Sequence, residues 1–166
     1  MTDLVHVYLY SKNQVLFVFY VCFQDCLPGW ILFQTNCYLL VDERPEDWNN
    51  AEIDCLNRNA ELLYILNTNE EEFIDSQIMN RSDIREAFIG LKEDENETER
   101  FINWSSGYPL EYTNWYDSPA EELSSGTACV AKNASVSGQW KIVDCLQSFP
   151  YICKKKGKTG LEPLCY

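Results

Sequence analysis

The side chains able to form covalent bonds in this chain are its eight cysteines, Cys22, Cys26, Cys37, Cys55, Cys129, Cys145, Cys153 and Cys165. No Cys-x-x-Cys occurs and His6 is the single histidine, so the usual Cys/His zinc sites cannot be built. An even cysteine count spread over a small chain points instead to disulfides and an oxidising compartment. Four N-x-S/T sequons, at Asn80, Asn96, Asn103 and Asn133, point the same way as glycosylation acceptors of an exported protein. Catalysis has little to work with. His6 lies in an apolar N-terminal segment, and no GxSxG, HExxH, P-loop or dinucleotide fingerprint is present. The acids are spread throughout and no pair stands out, so the chain is read as a non-enzyme.

The elements that must position these cysteines are legible in the hydrophobic pattern. Cys129–Lys132 and Trp140–Ile142 flank the polar turn Asn133–Gly138, a hairpin signal, and Tyr151-Ile152-Cys153 follows as a further strand. The three cysteines in that stretch can tie the sheet to itself and to an earlier element. Upstream, Trp30–Phe33 and Cys37–Val41 read as a first hairpin, with Cys26 and Cys37 at its two ends. Pro45 suits the first turn of a helix, in which Trp48, Ala51, Cys55 and Leu56 fall on one face. Leu62–Ile65 is a short apolar connector. A second helix starts near Asn67 or Thr68, with Glu70 and Glu71 as capping-box partners and Phe73, Ile74, Gln77 and Ile78 facing inward. Ala87–Leu91 reads as a buried central strand. Residues 92–128 are rich in turn formers, and their aromatics (Phe101, Trp104, Tyr108, Tyr112, Trp115, Tyr116) imply a folded-back loop with its own small core.

Length and charge bound the rest. The 166 residues suffice for one domain with a real core, and the apolar share of 46% makes it globular. A net charge of −13 argues against nucleic acid and against anionic membrane surfaces. Val15–Phe23 is a run of nine apolar residues, short of the ~20 a spanning helix needs, so no membrane span is expected. Residues 1–25 are read as an export segment, 26–154 as the domain and 155–166 as a polar, basic tail.

Taken in order, these motifs resemble the C-type lectin-like domain, an α+β fold of two helices on small antiparallel sheets with a long loop region. The matching residues are Cys26…Cys37-Tyr38, Trp48-x-x-Ala51-x-x-x-Cys55 and Phe88-Ile89-Gly90-Leu91. They continue as Trp104-Ser105-Ser106-Gly107, Tyr112-Thr113-Asn114-Trp115, Cys129-Val130, Trp140, Cys145 and Tyr151-Ile152-Cys153. The loop motifs are most similar to the macrophage mannose receptor group. The resemblance implies three disulfides, Cys26–Cys37, Cys55–Cys153 and Cys129–Cys145.

It also implies where a ligand would bind. Sugar-binding members hold a calcium ion in the long loop with carboxylates and amides beside a proline, before the loop-closing cysteine and after the strand tryptophan. Here those places carry Ser118-Pro119-Ala120, Thr127 and Trp140-Lys141-Ile142, so all five side-chain ligands are missing and Lys141 adds a positive charge. Glu93, Glu97 and Glu121 fall near an auxiliary calcium position, but in so acidic a chain they read first as a solvated face. No cofactor is expected beyond weak calcium binding. The function implied is a secreted, extracellular recognition module for carbohydrate or glycoprotein ligands, without the usual calcium-dependent sugar site. The alternatives are a calcium-independent protein-binding domain or a structural or defence component. Cys22 and Cys165 remain outside the three pairs. If export processing removes Cys22, Cys165 is left odd and a disulfide-linked dimer is expected.

Overall fold

Backbone amides of two early apolar runs pair with each other first. In the computed structural model, β1 (Leu4–Ser11) and β2 (Gln14–Val21) form a separate two-stranded antiparallel sheet, with Ser11 opposite Gln14 and Leu4 opposite Val21. The structure describes residues 4–11 and 14–21 as backbone, and 26–81, 84–93, 102–117, 127–133 and 138–157 with side chains. Cys22 and Cys165 lie outside them.

The main sheet has eight strands: β3 (Ile31–Phe33), β4 (Asn36–Glu46), β5 (Glu61–Leu62), β6 (Glu86–Glu93), β7 (Ile102–Trp104), β8 (Ala128–Asn133), β9 (Trp140–Asp144) and β10 (Phe149–Lys156). Its order is β3-β4-β10-β6-β8-β9, with β5 beside β10 and β7 beside β6. Every pairing is antiparallel except β10 with β6, which meet in parallel at Tyr151 and Phe88. The last strand is therefore central. Its ladder against β4 runs from Phe149–Glu46 to Lys156–Asn36, and Gly157 N–H bonds Thr35 C=O at 2.8 Å. Lys154 belongs to this strand and is 1% exposed, and the strand continues through Lys155 and Lys156, the first residues of the segment read as a tail.

Helix α1 spans Trp48–Asn57 and α2 spans Thr68–Met79. Pro45 does not open α1. It lies at the end of β4, where the ladder slips between Phe149 and Tyr151 and a missing N–H is tolerated. The start is set by Asp47, whose carboxylate accepts the Asn50 N–H at 3.0 Å. Trp48, Ala51 and Cys55 are buried as the spacing predicts, but Leu56 is 56% exposed. Leu56 is the next residue after Cys55, about 100° further round the helix, and so turns off the face that Trp48, Ala51 and Cys55 bury. Trp48 fixes the crossing by donating its indole N–H to Ile89 C=O at 2.9 Å.

The core lies on both sides of β6. Phe88 packs with α1, Tyr151 and the disulfides, while Ile89 and Leu91 pack with Ile74, Ile78, Trp104 and Trp140. Gly90 sits where the connector Leu62–Ile65 crosses the strand. Its N–H bonds Leu63 C=O at 2.8 Å, and a Cβ there would stand 2.8 Å from Leu62 O, so only glycine admits the crossing.

The three disulfides are Cys26–Cys37, Cys55–Cys153 and Cys129–Cys145. The first closes the β3–β4 hairpin, the third closes β8–β9, and the second bolts α1 to the central strand. Cys55 and Cys153 are 98 positions apart and both fully buried. Replacing both by alanine should lower unfolding free energy in urea titrations by about 4–5 kcal/mol, because the denatured chain regains a long loop's entropy. A loss no greater than that for the short Cys26–Cys37 loop would contradict this assignment.

Candidate functional site

Two adjacent glutamates at the start of α2 organise the region under the long loop. Asn67 caps the helix, its side chain accepting the Glu70 N–H at 3.0 Å. Glu70 reaches back one residue further than a simple capping box, accepting the Leu66 N–H at 3.0 Å. Both carboxylates are nearly sealed from solvent, Glu70 at 4% and Glu71 at 3% exposure. Capping alone does not require that, and the partners explain it.

Glu70 meets Lys154 Nζ at 2.5 Å and accepts the Tyr38 hydroxyl at 2.6 Å. Lys154 also donates to Tyr64 C=O at 2.9 Å and lies 3.7 Å from the Tyr64 ring centre. Burial pushes the Tyr38 hydroxyl up, aided by Glu70, and holds the Lys154 ammonium below its usual range. Glu71 faces the other strand system. It pairs with Lys132, which also contacts Asp75 at 2.9 Å and Gly138 C=O at 2.8 Å. The Trp140 indole N–H lies 3.0 and 3.2 Å from its two oxygens, and the Asn114 carboxamide donates to it at 3.2 Å. Burial raises the Glu71 carboxyl above the ordinary range despite the opposing pull of Lys132. Gly138 has φ +69°, and a Cβ there would fall 1.8 Å from Asp75 Oδ1, so the hairpin turn must be glycine for Asp75 to reach Lys132.

This network fixes the loop. Trp140 N–H bonds Asn114 C=O at 2.7 Å, and Tyr116 N–H bonds Trp140 C=O at 2.9 Å. Trp104, Tyr112 and Trp115 meet the Trp140 ring edge-on, with centroids at 5.5, 5.9 and 5.5 Å. The expected separate core of the loop is thus corrected: these rings join the main core through a strand residue. Tyr108 instead stacks on Tyr64 at 4.3 Å, and Tyr116 is 52% exposed. Phe101 lies outside the described residues.

Trp140, expected on the ligand loop, is fully buried and acts as the loop's anchor, out of reach of any ligand. Lys141 is ion-paired with Glu86, and Ile142 is half-buried beside it on β9. Thr127 is half-buried ahead of β8 and offers no carboxylate. The donor set at these positions does not fit a calcium ion, which takes six to eight oxygens. Glu93 Oε2 accepts the Ala128 N–H at 3.1 Å and so helps to start β8. Ser118, Pro119, Ala120, Glu97 and Glu121 lie outside the described residues, as does Asn96. Among the described residues no three acids, cysteines or histidines converge on a metal position. Asn80 and Asn103 are exposed, whereas Asn133 is half-buried at the end of β8.

The lectin C-type domain model matches residues 44–155. This chain belongs to the C-type lectin domain family. It is 35% identical over 134 residues to the rabbit (Oryctolagus cuniculus) secretory phospholipase A2 receptor, covering 80% of the chain and 9% of the relative. Identity to the rat (Rattus norvegicus) C-type mannose receptor 2 is 31% over 136 residues, covering 82% of the chain and again 9% of the relative. Among solved structures, human lithostathine superposes with a TM-score of 0.71 at 29% identity, over 80% of this chain and 92% of that one. The lectin-like chain therefore spans about a tenth of the curated relatives it matches. No helix among its described residues is long and apolar enough to cross a membrane.

Sequence reasoning missed Lys132, Lys154 and Asp75 as members of this site. Lysine on a strand reads as solvent-facing, and the signal that could have found them was two glutamates on the inward side of a helix with no other cation in reach. Replacing Lys132 with Met strands the Glu71 and Asp75 charges and should cost about 3–5 kcal/mol in urea unfolding. Glu71→Gln keeps an acceptor for Trp140 and leaves Lys132 on Asp75, so its cost should stay within about 1 kcal/mol at pH 7. The sign with pH follows from the raised carboxyl: the folded state binds the proton more tightly, so Glu71 adds stability as pH falls through its raised pKa. That contribution should vanish in Glu71→Gln.

Proposed function

We propose that this lectin-like domain is an extracellular recognition module that binds its ligand without calcium, and that the ligand is a glycoprotein contacted chiefly through its protein surface. The observation that carries this reading is Lys141. Where sugar-binding members present oxygen donors after the strand tryptophan, this chain presents an ammonium group already paired with Glu86. A cation brought there would meet like charge, and Thr127 and Ile142 supply no carboxylate to offset it.

The loop does not depend on such an ion for its shape among the described residues. Its segment 112–116 is held by Trp140 and Glu71, so a surface for a partner is kept by protein groups alone. Tyr116 and Leu146, 52% and 78% exposed, provide apolar contact area on the segments that leave that anchor. Of the relatives, one is named as a receptor for a secreted protein, the phospholipase A2, which supports a protein ligand. The name of the other, a mannose receptor, supports glycan binding as the second reading, through a surface other than the calcium loop. Export fits the three disulfides, with residues 1–25 as the leader; removal of that leader with Cys22 leaves Cys165 as the odd cysteine, able to join a second chain.

A glycan array probed with calcium and again with EDTA separates these readings. We expect no calcium-dependent signal, and calorimetric titration should show no micromolar calcium site. A sugar signal that appears with calcium and disappears with EDTA would overturn the proposal.

A further inference from the structure

Away from the loop anchor, the end of α1, β5 and the end of β10 line an open cleft of about 410 Å³, a volume within the range of small-ligand sites. Thr127, Trp140, Lys141 and Ile142 do not line it. One side is apolar. Tyr64 is buried and stacks face to face on Tyr108, with an interplanar angle of 14°, while Tyr108 and Leu56 stay 40% and 56% exposed. That stack and an exposed leucine form a shelf that the domain itself leaves uncovered.

The other side is cationic. Lys154, Lys155 and Lys156 follow one another along β10 and all line the cleft. Lys154 is neutralised by Glu70, and Lys155 Nζ sits 3.8 Å from the Trp30 ring centre. Lys156 is exposed, and no described residue forms an ion pair with it. Three consecutive lysines beside one cleft run against a chain whose net charge is −13. Facing them are the Asn59 carboxamide and the Glu61 carboxylate.

This mixture selects among ligands. Glu61 accepts from a hydroxyl and Asn59 both donates and accepts, so a ligand that carries hydroxyls beside its acid group makes contacts that a bare anion cannot. An aromatic shelf suits the apolar C–H face of a pyranose ring, and the Lys156 ammonium suits an acid group. We propose that this cleft is a second binding site, for a saccharide bearing one carboxylate or sulfate. The ring lies on Tyr108, the acid group on Lys156, and the hydroxyls meet Glu61 and Asn59. The site is independent of whether the loop surface takes protein or glycan, and it needs no metal.

The test is an NMR titration of the isotope-labelled full chain in EDTA with glucuronic acid, glucose 6-sulfate, glucose, inorganic sulfate and a short glutamate peptide. Both acidic sugars should give saturable shifts at Leu56, Tyr108 and Lys156, with glucose at least about tenfold weaker. Lys156→Gln, an exposed change that leaves the spectrum otherwise intact, should abolish the difference between acidic and neutral sugar, and Lys156→Arg should restore it. The proposal is overturned if no saturable shift appears or if inorganic sulfate or the glutamate peptide matches the acidic sugars. Persistence of the preference in Lys156→Gln would overturn it equally.

Discussion

Two buried carboxylates side by side on one helix are the constraint around which this domain is built. A single ionised glutamate taken out of water is costly unless it is paired and fully hydrogen-bonded. Glu70 and Glu71 are adjacent, so on the helix they point in different directions and must each find a separate cation. The sheet supplies both. Lys154 comes from the central strand β10 and Lys132 from β8, and each is essentially sealed from solvent. The start of α2 is thereby keyed to two strands at once. A register slip in either strand would leave a carboxylate unpaired, so the pairs select one alignment of helix and sheet even where their net stabilisation is small.

The functional consequence runs through Glu71. Its carboxylate is shared among Lys132, Trp140 and Asn114, three groups from a strand, the next strand and the loop. Around that point Trp104, Tyr112 and Trp115 close edge-on upon Trp140. Backbone bonds on both sides of Trp140 then hold the loop segment in place. Order that a bound ion can impose on a loop is supplied here by a buried acid and an aromatic cluster. On the proposed reading, recognition without calcium is then a matter of surface chemistry.

Much of the fold was readable because local signals agreed with the global pattern. The spacing of Trp48, Ala51 and Cys55 gave α1, the turn at Asn133–Gly138 gave the β8–β9 hairpin, and Ala87–Leu91 gave β6, the inner strand beside β10. The family resemblance supplied the three disulfide partners, which spacing had left open. Failures came where tertiary context overrode local reading. Pro45 looked like a helix opener, yet Asp47 was the better cap. Leu56 matched the apolar stripe but turns off the face that buries its neighbour Cys55. Lys132 and Lys154 went unremarked, because nothing local marks a lysine whose partner is 61 or 84 positions away. Lys141 was foreseen as a charge in the wrong place for calcium, but its partner Glu86, on the far side of β8, was not.

The central claim is that Glu71 and Trp140 hold the loop by themselves. Hydrogen exchange of the Trp140 indole N–H and of the Trp140 and Tyr116 backbone amides, followed in EDTA and again with millimolar calcium, tests it directly. Strong protection in EDTA, unchanged by calcium and lost in Glu71→Ala, is the predicted result. Rapid exchange in EDTA that calcium converts to protection would contradict the account.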